Sequence, residues 1–182
     1  MNKLRKQIIA LLKKMIEVAT ALLKKKKSKN YCAFREALGQ RESSGNYKAV
    51  NTLGFLGKYQ FGLARLCDLG YTKRKSGTTG FSNKSFVWKK PYSQEVFLGN
   101  PNIQDKIFQE HIKDLIKQID KRFKKTTIKK HTYSGMCAFA HIAGIGGLMK
   151  FVKYGIDPQD AYGTRASSYL KKFAGYDLES LV

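Results

Sequence analysis

Apolar side chains recur every three or four positions along several stretches of this chain, the spacing of one face of an α-helix. Residues 34–42 show this spacing at Phe34 and Leu38. Residues 102–123 show it over a longer run that follows Pro101, a residue favoured in the first turn of a helix. Residues 134–152 are almost continuously apolar but contain a glycine cluster, which predicts a broken helix. The fold class expected is therefore mainly α (α+β).

Two stretches lack the helical spacing. The segment TLGFLGKYQFG alternates short apolar residues with glycines, which predicts a small, tight β-hairpin near residues 50–60. Residues 71–90 show no period and contain Gly, Ser, Thr and Lys, so we expect a loop or a short irregular arm. Trp88 in this arm either anchors it to the core or stacks on sugar rings.

The first 30 residues form a separate pattern, a basic amphipathic helix with a lysine-rich linker. Its apolar positions follow an a/d repeat, whereas Lys13, Lys14 and Glu17 interrupt any transmembrane span. No clear cleavable signal peptide is expected either. We expect residues 1–29 to contact an anionic membrane surface; the alternative is that the apolar face docks on the remaining domain, 31–182, or on a second copy. The apolar a/d positions are Leu4, Ile8, Leu11, Met15, Val18 and Leu22.

The charge of the chain points to an anionic partner. The formal net charge is +22, and the first 30 residues hold ten Lys/Arg and one Glu, a charge of +9. Cell walls, nucleic acids and anionic lipids all fit, and a merely solvated lysine-rich surface explains part of the charge. A nucleic-acid module ranks last, because no segment resembles a known reader.

Cysteine and histidine spacing predicts no metal site. The three cysteines lack a CxxC pair, and the three histidines lie far apart in the sequence. Cys67 and Cys137 fall in apolar helical contexts and are expected to pack in the core, although one disulfide among the three remains open.

Glu42 is the candidate for chemistry. The Ser, Gly and Asn residues that follow it are turn formers, so the helix should end near Glu42. The negative end of a helix dipole, typically worth ~0.3–1 kcal/mol, and burial in a cleft both disfavour the charged form of a carboxyl group. A protonated carboxyl is what a general acid needs; the alternative is a surface Glu paired with Arg41 or a lysine. Glu36 lies about 120° around the same helix and is expected to be a structural or surface residue.

The stretch RESSGNYKAVNTLGFLGKYQFG resembles the catalytic segment of the lysozyme-like lytic transglycosylases, relatives of the g-type lysozymes. In that family one Glu acts first as acid and then as base, and a G-x-x-G-x-x-Q segment lines the saccharide groove. The resemblance assigns Glu42 as the catalytic residue and implies that Ser43, Tyr59 and Gln60 bind substrate.

Two later segments extend the resemblance over roughly residues 34–176. AHIAG resembles the A-Y-N-A-G segment of the family, with His141 in place of Tyr and Ile142 in place of Asn. TRASSY resembles the late E-T-x-x-Y segment without its Glu, and ends in Tyr169. The resemblance implies that His141 and Tyr169 also bind substrate; each is otherwise a structural residue of an apolar helix.

The resemblance implies a peptidoglycan-degrading enzyme that cleaves the MurNAc–GlcNAc β-1,4 bond and leaves 1,6-anhydro-MurNAc ends, without metal or organic cofactor. Glycosidases usually use two carboxylates, and the sequence offers one convincing position. The alternatives are a hydrolytic lysozyme and a non-enzymatic protein that binds the wall or membrane through its basic helix. The expected partner is the glycan strand of peptidoglycan, with no specific nucleic acid, and the expected location is the cell envelope, the periplasm or outside the cell.

Overall fold

The computed structural model describes the backbone of residues 2–181 and the side chains of residues 5, 7–20, 29–178, 180 and 181. The predicted class is confirmed, because 62% of the residues are helical and one small antiparallel sheet is present in this part of the chain. The helices are α1 (Asn2–Ser28), α2 (Tyr31–Ser43), α3 (Leu63–Asp68), α4 (Gln94–Gly99), α5 (Pro101–Arg122), α6 (Lys125–His131), α7 (Tyr133–Tyr154) and α8 (Ala166–Lys172). Short 3-10 turns lie at Asn83–Ser85 and Glu179–Leu181.

The sheet lies later in the chain than the sequence predicts. Strands β1 (Thr72–Arg74) and β2 (Phe86–Trp88) pair antiparallel, with Thr72 opposite Trp88. The arm expected to be irregular therefore carries the sheet, and Trp88 is half-buried with its ring 5.5 Å from that of Phe97. Trp88 thus anchors this arm to the core.

The predicted hairpin near residues 50–60 forms single bridges instead of strands. Val50 pairs with Leu56, and Leu56 pairs with Phe61. Both Gly54 and Gly57 have positive φ angles and turn the chain between these pairs. Because these two turns follow each other within a few residues, the bridges do not extend into strands.

The core lies between α2, α5, α7 and α8. The ring of Phe34 from α2 is 6.2 Å from that of Phe108 on α5 and meets Phe173 edge-on at 6.0 Å. Helix α7 is long and apolar enough to cross a membrane, but residues 134–140 are buried inside the domain, so we interpret it as the core helix. Its predicted break is present at Gly144, where φ is 67°.

The described side chains of helix α1 contribute nothing buried to this core. Every described side chain from residue 7 to residue 20 is exposed. The predicted apolar positions Leu4 and Leu22 lie outside the described side chains.

The three cysteines are free thiols. Cys137 is buried, as expected for a core residue, Cys67 is partly buried against the core, and Cys32 is exposed. Burial raises the pKa of the Cys137 thiol far above its ordinary value.

Candidate functional site

A cavity of about 500 Å³ lies where the end of α2, the bridged segment before α3, the middle of α7 and the start of α8 meet. Four of the residues singled out in the sequence line it: Glu42, Gln60, His141 and Tyr169. The other lining residues are Arg41, Asn51, Leu53, Phe55, Ile142, Asp160, Ala161, Tyr162 and Thr164. Residues far apart in the sequence are therefore brought to one groove.

Glu42 lies in the last turn of α2, because the helix ends immediately after it. Ser44 adopts the left-handed conformation with φ of 56°, and its backbone N–H donates to the carbonyl of Gln40. The Ser43 hydroxyl donates to the carbonyl of Lys58 at 2.9 Å, which ties this end of α2 to the bridged segment. The predicted stop at Glu42 is thus one residue from the observed end at Ser43.

The carboxyl group of Glu42 is partly withdrawn from solvent. Its Oε1 atom is buried and has no hydrogen-bond partner among the described residues. An unpaired buried carboxyl oxygen is costly, which makes it a strong acceptor or donor for a group that enters the cavity. No ion pair between Glu42 and Arg41 or a lysine is formed by the described residues.

The phenol of Tyr169 interacts with this carboxyl group. Burial raises the pKa of the Tyr169 phenol above its ordinary value, and the charge and hydrogen bonding of Glu42 raise it further. The guanidinium of Arg41 lies 5.7 Å from the centre of the Tyr169 ring and acts in the opposite direction. The phenol therefore keeps its proton and can donate it in a hydrogen bond.

His141 lines the groove and is hydrogen-bonded to His111, which is buried behind it. Arg65 donates from Nε to Nδ1 of His111 at 2.8 Å, so this nitrogen carries no proton in the neutral ring. The proton of His111 must lie on Nε2, which is 3.0 Å from Nδ1 of His141. His111 therefore donates to His141, and the proton of neutral His141 lies on its Nε2 atom.

Both imidazoles are held neutral. Burial lowers the pKa of His111 well below its ordinary value, and the neighbouring His141 and Arg65 lower it further. Burial also lowers the pKa of His141, while the Glu42 charge and the Tyr59 backbone act in the opposite direction. An interaction between His141 and Glu42 is thus present, and His141 presents a neutral ring to the groove.

Gln60 lines the groove in an uncommon backbone conformation. Its φ of 50° lies in the left-handed region, which costs a non-glycine residue free energy. The side-chain amide donates from Nε2 to the carbonyl of Gly57 at 3.0 Å. This bond fixes the side chain and leaves its carbonyl oxygen as the group for a ligand.

Two predicted substrate residues do not line the groove. Tyr59 is fully buried; its ring stacks on Phe108 at 4.1 Å and its hydroxyl donates to Asp105 at 2.6 Å. The sequence cannot separate a sugar-stacking Tyr from a core Tyr, since both need an apolar face with one polar partner. The Ser43 hydroxyl donates to the Lys58 carbonyl and does not line the groove either.

The bridged segment is positioned by side chains that reach it from α5 and α2. Gln104, which is fully buried, donates to the carbonyls of Tyr47 and Phe97, each at 2.8 Å, and accepts from the Lys58 backbone N–H at 2.9 Å. The Lys58 ammonium donates to Glu36 at 2.6 Å. Glu36 is thus structural, as expected, and lies outside the groove lining.

Sequence reasoning missed one acidic residue of the groove. Asp160 follows α7, and its Oδ1 atom accepts from the backbone N–H groups of Tyr162 at 2.9 Å and Thr164 at 2.7 Å. An Asp with a Gly three residues later is an ordinary turn signal, so nothing in the sequence marks Asp160 as part of a site. Asp160 reaches the groove that Glu42 lines because this loop packs against α8, a long-range contact that no local sequence pattern shows.

The two rims of the groove touch each other. The hydroxyl groups of Thr52 and Tyr162 are 2.8 Å apart, although the residues are 110 positions apart in the chain. A smaller cavity of about 210 Å³ shares Phe55, Gln60 and His141 with the main one, so the two cavities adjoin.

No protein-family model, curated protein sequence or solved structure matches this chain. The described residues also contain no group of three or more His, Cys, Asp or Glu side chains placed to hold a metal ion.

Proposed function

We propose that the protein cleaves the β-1,4 bond between MurNAc and GlcNAc in peptidoglycan, with Glu42 as the single acid/base. The observation that carries this proposal is the unpaired, buried Oε1 atom of Glu42, a residue that lines the groove. The resemblance of the ESSGNY and GFLGKYQ segments to the lytic transglycosylases supports the same residue independently of the groove. No metal or organic cofactor takes part in the proposed reaction.

The groups around Glu42 suit a proton transfer. A general acid must give its proton to the glycosidic oxygen as the bond breaks, and then accept one as a base. The phenol of Tyr169 can donate a hydrogen bond to the carboxylate left behind. Neutral His141 and the carbonyl oxygen of Gln60 offer polar contacts to the hydroxyl and acetamido groups of the sugars.

The proposed product follows from the use of one carboxyl group. After Glu42 protonates the leaving oxygen, the N-acetyl group of MurNAc stabilises the positive charge at C1. The Glu42 carboxylate then takes the proton of the C6 hydroxyl, whose oxygen bonds to C1 and closes the 1,6-anhydro ring. No water is consumed, so each new end is one water lighter than a hydrolysis product.

Purified sacculi provide the test. We expect Glu42→Gln to fold, to bind sacculi and to release almost no muropeptide, because an amide cannot deliver the proton. Glu36→Gln is the matched control, since Glu36 lies on the same helix outside the groove lining, and it should keep most activity. If Glu42→Gln cleaves like the wild type, the assignment is wrong and binding without cleavage becomes the better description.

Hydrolysis is a second candidate, and Asp160 favours it. A second carboxylate in the groove is what an inverting glycosidase needs to activate water. Asp160→Asn separates the two reactions, because the Asn carbonyl oxygen can still accept from the Tyr162 and Thr164 backbones. Loss of activity in Asp160→Asn together with reducing MurNAc ends would favour hydrolysis. Retained activity with anhydro ends would favour transglycosylation.

The proposed substrate implies a place in the cell envelope, the periplasm or outside the cell. Peptidoglycan stem peptides carry carboxylates, which suits the formal charge of +22. Specific nucleic-acid binding is not part of this proposal.

A further inference from the structure

Helix α1 presents a broad apolar face that nothing in the described structure covers. With about 100° of rotation per residue, its large apolar side chains fall on one half of the helix circumference. Each of them is at least half exposed, from 50% for Ile8 to 65% for Ile16. The members of this face are Ile8, Ile9, Leu11, Leu12, Met15, Ile16 and Val18.

The other half of the helix is polar and basic. It carries Lys13 and Lys14 on both sides of Glu17, with Ala10 between them and Thr20 just beyond Lys13. All of these described side chains are exposed. A surface helix with a wide apolar arc and flanking lysines has the composition of helices that lie in the interface of a bilayer.

The charge of α1 decides among the partners that an apolar face can have. Two copies packed face to face would bring together two segments of formal charge +9, and one Glu per copy cannot supply compensating pairs. Docking on the catalytic domain would also join like charges, since residues 31–182 carry 25 Lys/Arg and 12 Asp/Glu. An anionic lipid surface instead attracts the lysines and covers the apolar arc.

We propose that α1 lies in the plane of an anionic lipid bilayer, with its apolar face at the acyl boundary and its lysines at the headgroups. The 27 residues of this helix would cover about 40 Å of membrane surface at 1.5 Å per residue. This interaction is independent of the chemistry at Glu42, and it holds the groove close to the wall layer next to a membrane.

Two tryptophan variants of the full chain test the orientation. Leu12→Trp places an indole on the apolar face, and Ala10→Trp places one on the opposite, polar face. On addition of vesicles containing phosphatidylglycerol, the emission of Leu12→Trp should shift to the blue and be quenched by brominated acyl chains. Ala10→Trp should shift little. Equal shifts at both positions, or none at either, would overturn the proposal.

Co-sedimentation with the same vesicles tests the contribution of the apolar face. Leu12→Ser combined with Ile16→Ser should weaken binding by roughly tenfold or more, because two large apolar side chains no longer enter the bilayer. Ala10→Ser combined with Thr20→Ser, on the polar face, should bind like the wild type. Neutral phosphatidylcholine vesicles should bind the wild type weakly, and higher salt should weaken the binding to anionic vesicles.

Two results would contradict a membrane partner. One is binding to neutral vesicles as strong as to anionic vesicles. The other is a concentration-dependent dimer in sedimentation velocity that Leu12→Ser/Ile16→Ser abolishes, which would make a second copy the occupant of this face.

Discussion

At the scale of single residues, the groove depends on a few polar side chains that are wholly or partly buried. Glu42 has an unpaired oxygen, Tyr169 retains its phenolic proton, and His111 and His141 are neutral. Each of these states can be tested by removing one polar atom while keeping the shape of the side chain.

Tyr169→Phe should lower the rate of glycan cleavage without unfolding the protein. The change removes the phenol that can donate to the Glu42 carboxylate during the reaction; a hydrogen bond to a charged group is worth about 1.5–3 kcal/mol, or roughly ten- to a hundredfold in rate. Release of muropeptides from sacculi measures the effect. Tyr176→Phe is the control, because Tyr176 packs against Phe34 in the core and should keep wild-type activity. Unchanged activity in Tyr169→Phe would remove this phenol from the proposed mechanism.

His111 should make the fold sensitive to acid. Its folded-state pKa lies well below the ordinary 6.5, so below pH 6.5 the unfolded chain binds a proton that the folded protein excludes. Stability is therefore fully present above pH 6.5 and is lost as the pH falls towards the folded-state pKa. The melting temperature should drop between pH 7 and pH 5.

His111→Gln should reduce this pH dependence, although the variant is less stable at pH 7. His131→Gln is the matched control: burial and Lys130 also lower the pKa of His131, but this side chain is only partly buried. Its melting curves should keep most of the wild-type acid sensitivity. An unchanged slope in His111→Gln would show that the buried pair does not control it.

At the scale of elements, the sequence predicts helices well and strands less well. The spacing of Phe34 and Leu38 and the turn residues after Glu42 are local signals, so α2 could be placed nearly to the residue. The bounds of α5 follow in the same way from Pro101 and its long apolar period. The sheet was misplaced because β1 and β2 have only three residues each, too few to show a period of two.

The segment from Tyr47 to Lys58 depends on one side chain of α5. Gln104→Met keeps the approximate shape but leaves the Lys58 N–H and the Tyr47 and Phe97 carbonyls without their partner. Because an unsatisfied buried group costs about 1–3 kcal/mol, the free energy of unfolding should fall by roughly 2–5 kcal/mol. Urea denaturation measures this loss.

Gln109→Met, at an exposed position of the same helix, provides the control and should be close to neutral. A Gln104→Met variant as stable as Gln109→Met would mean that the backbone groups find other partners. If Gln104→Met is destabilised, it should also cleave sacculi more slowly than the wild type at temperatures below its melting temperature. The reason is that Phe55, which lines the groove, lies in the segment that Gln104 holds, and Gln60 lies just after this segment.

At the scale of the whole molecule, the groove could be predicted only in part. Glu42, Gln60, His141 and Tyr169 were found through local segments, and the fold brings all four to one cavity. Asp160 and the Thr52–Tyr162 contact depend on how the loop after α7 packs across more than a hundred residues. Tyr59 was placed in the groove because its neighbours are there, but its side chain points into the core and pairs with Asp105.

Removal of residues 1–28 should leave the remaining domain intact. The described side chains of α1 are exposed, so the deletion removes little buried area, and the melting temperature should change by no more than about 2 °C. Cleavage of soluble glycan fragments should be retained, while binding to anionic vesicles is lost. A large drop in melting temperature would instead show that α1 packs on the domain.

The deletion must end before Lys29. The Lys29 carbonyl accepts from the Asp177 N–H at 2.6 Å, and the Asn30 side chain accepts from the Ala33 N–H at the start of α2. Deletion of residues 1–30 removes both contacts, and the helix cap alone is worth about 0.5–2 kcal/mol. That protein should melt roughly 2–6 °C below the 1–28 deletion. Differential scanning calorimetry of the two truncations separates the role of α1 from that of the cap, and equal melting temperatures would mean that neither Lys29 nor Asn30 stabilises α2.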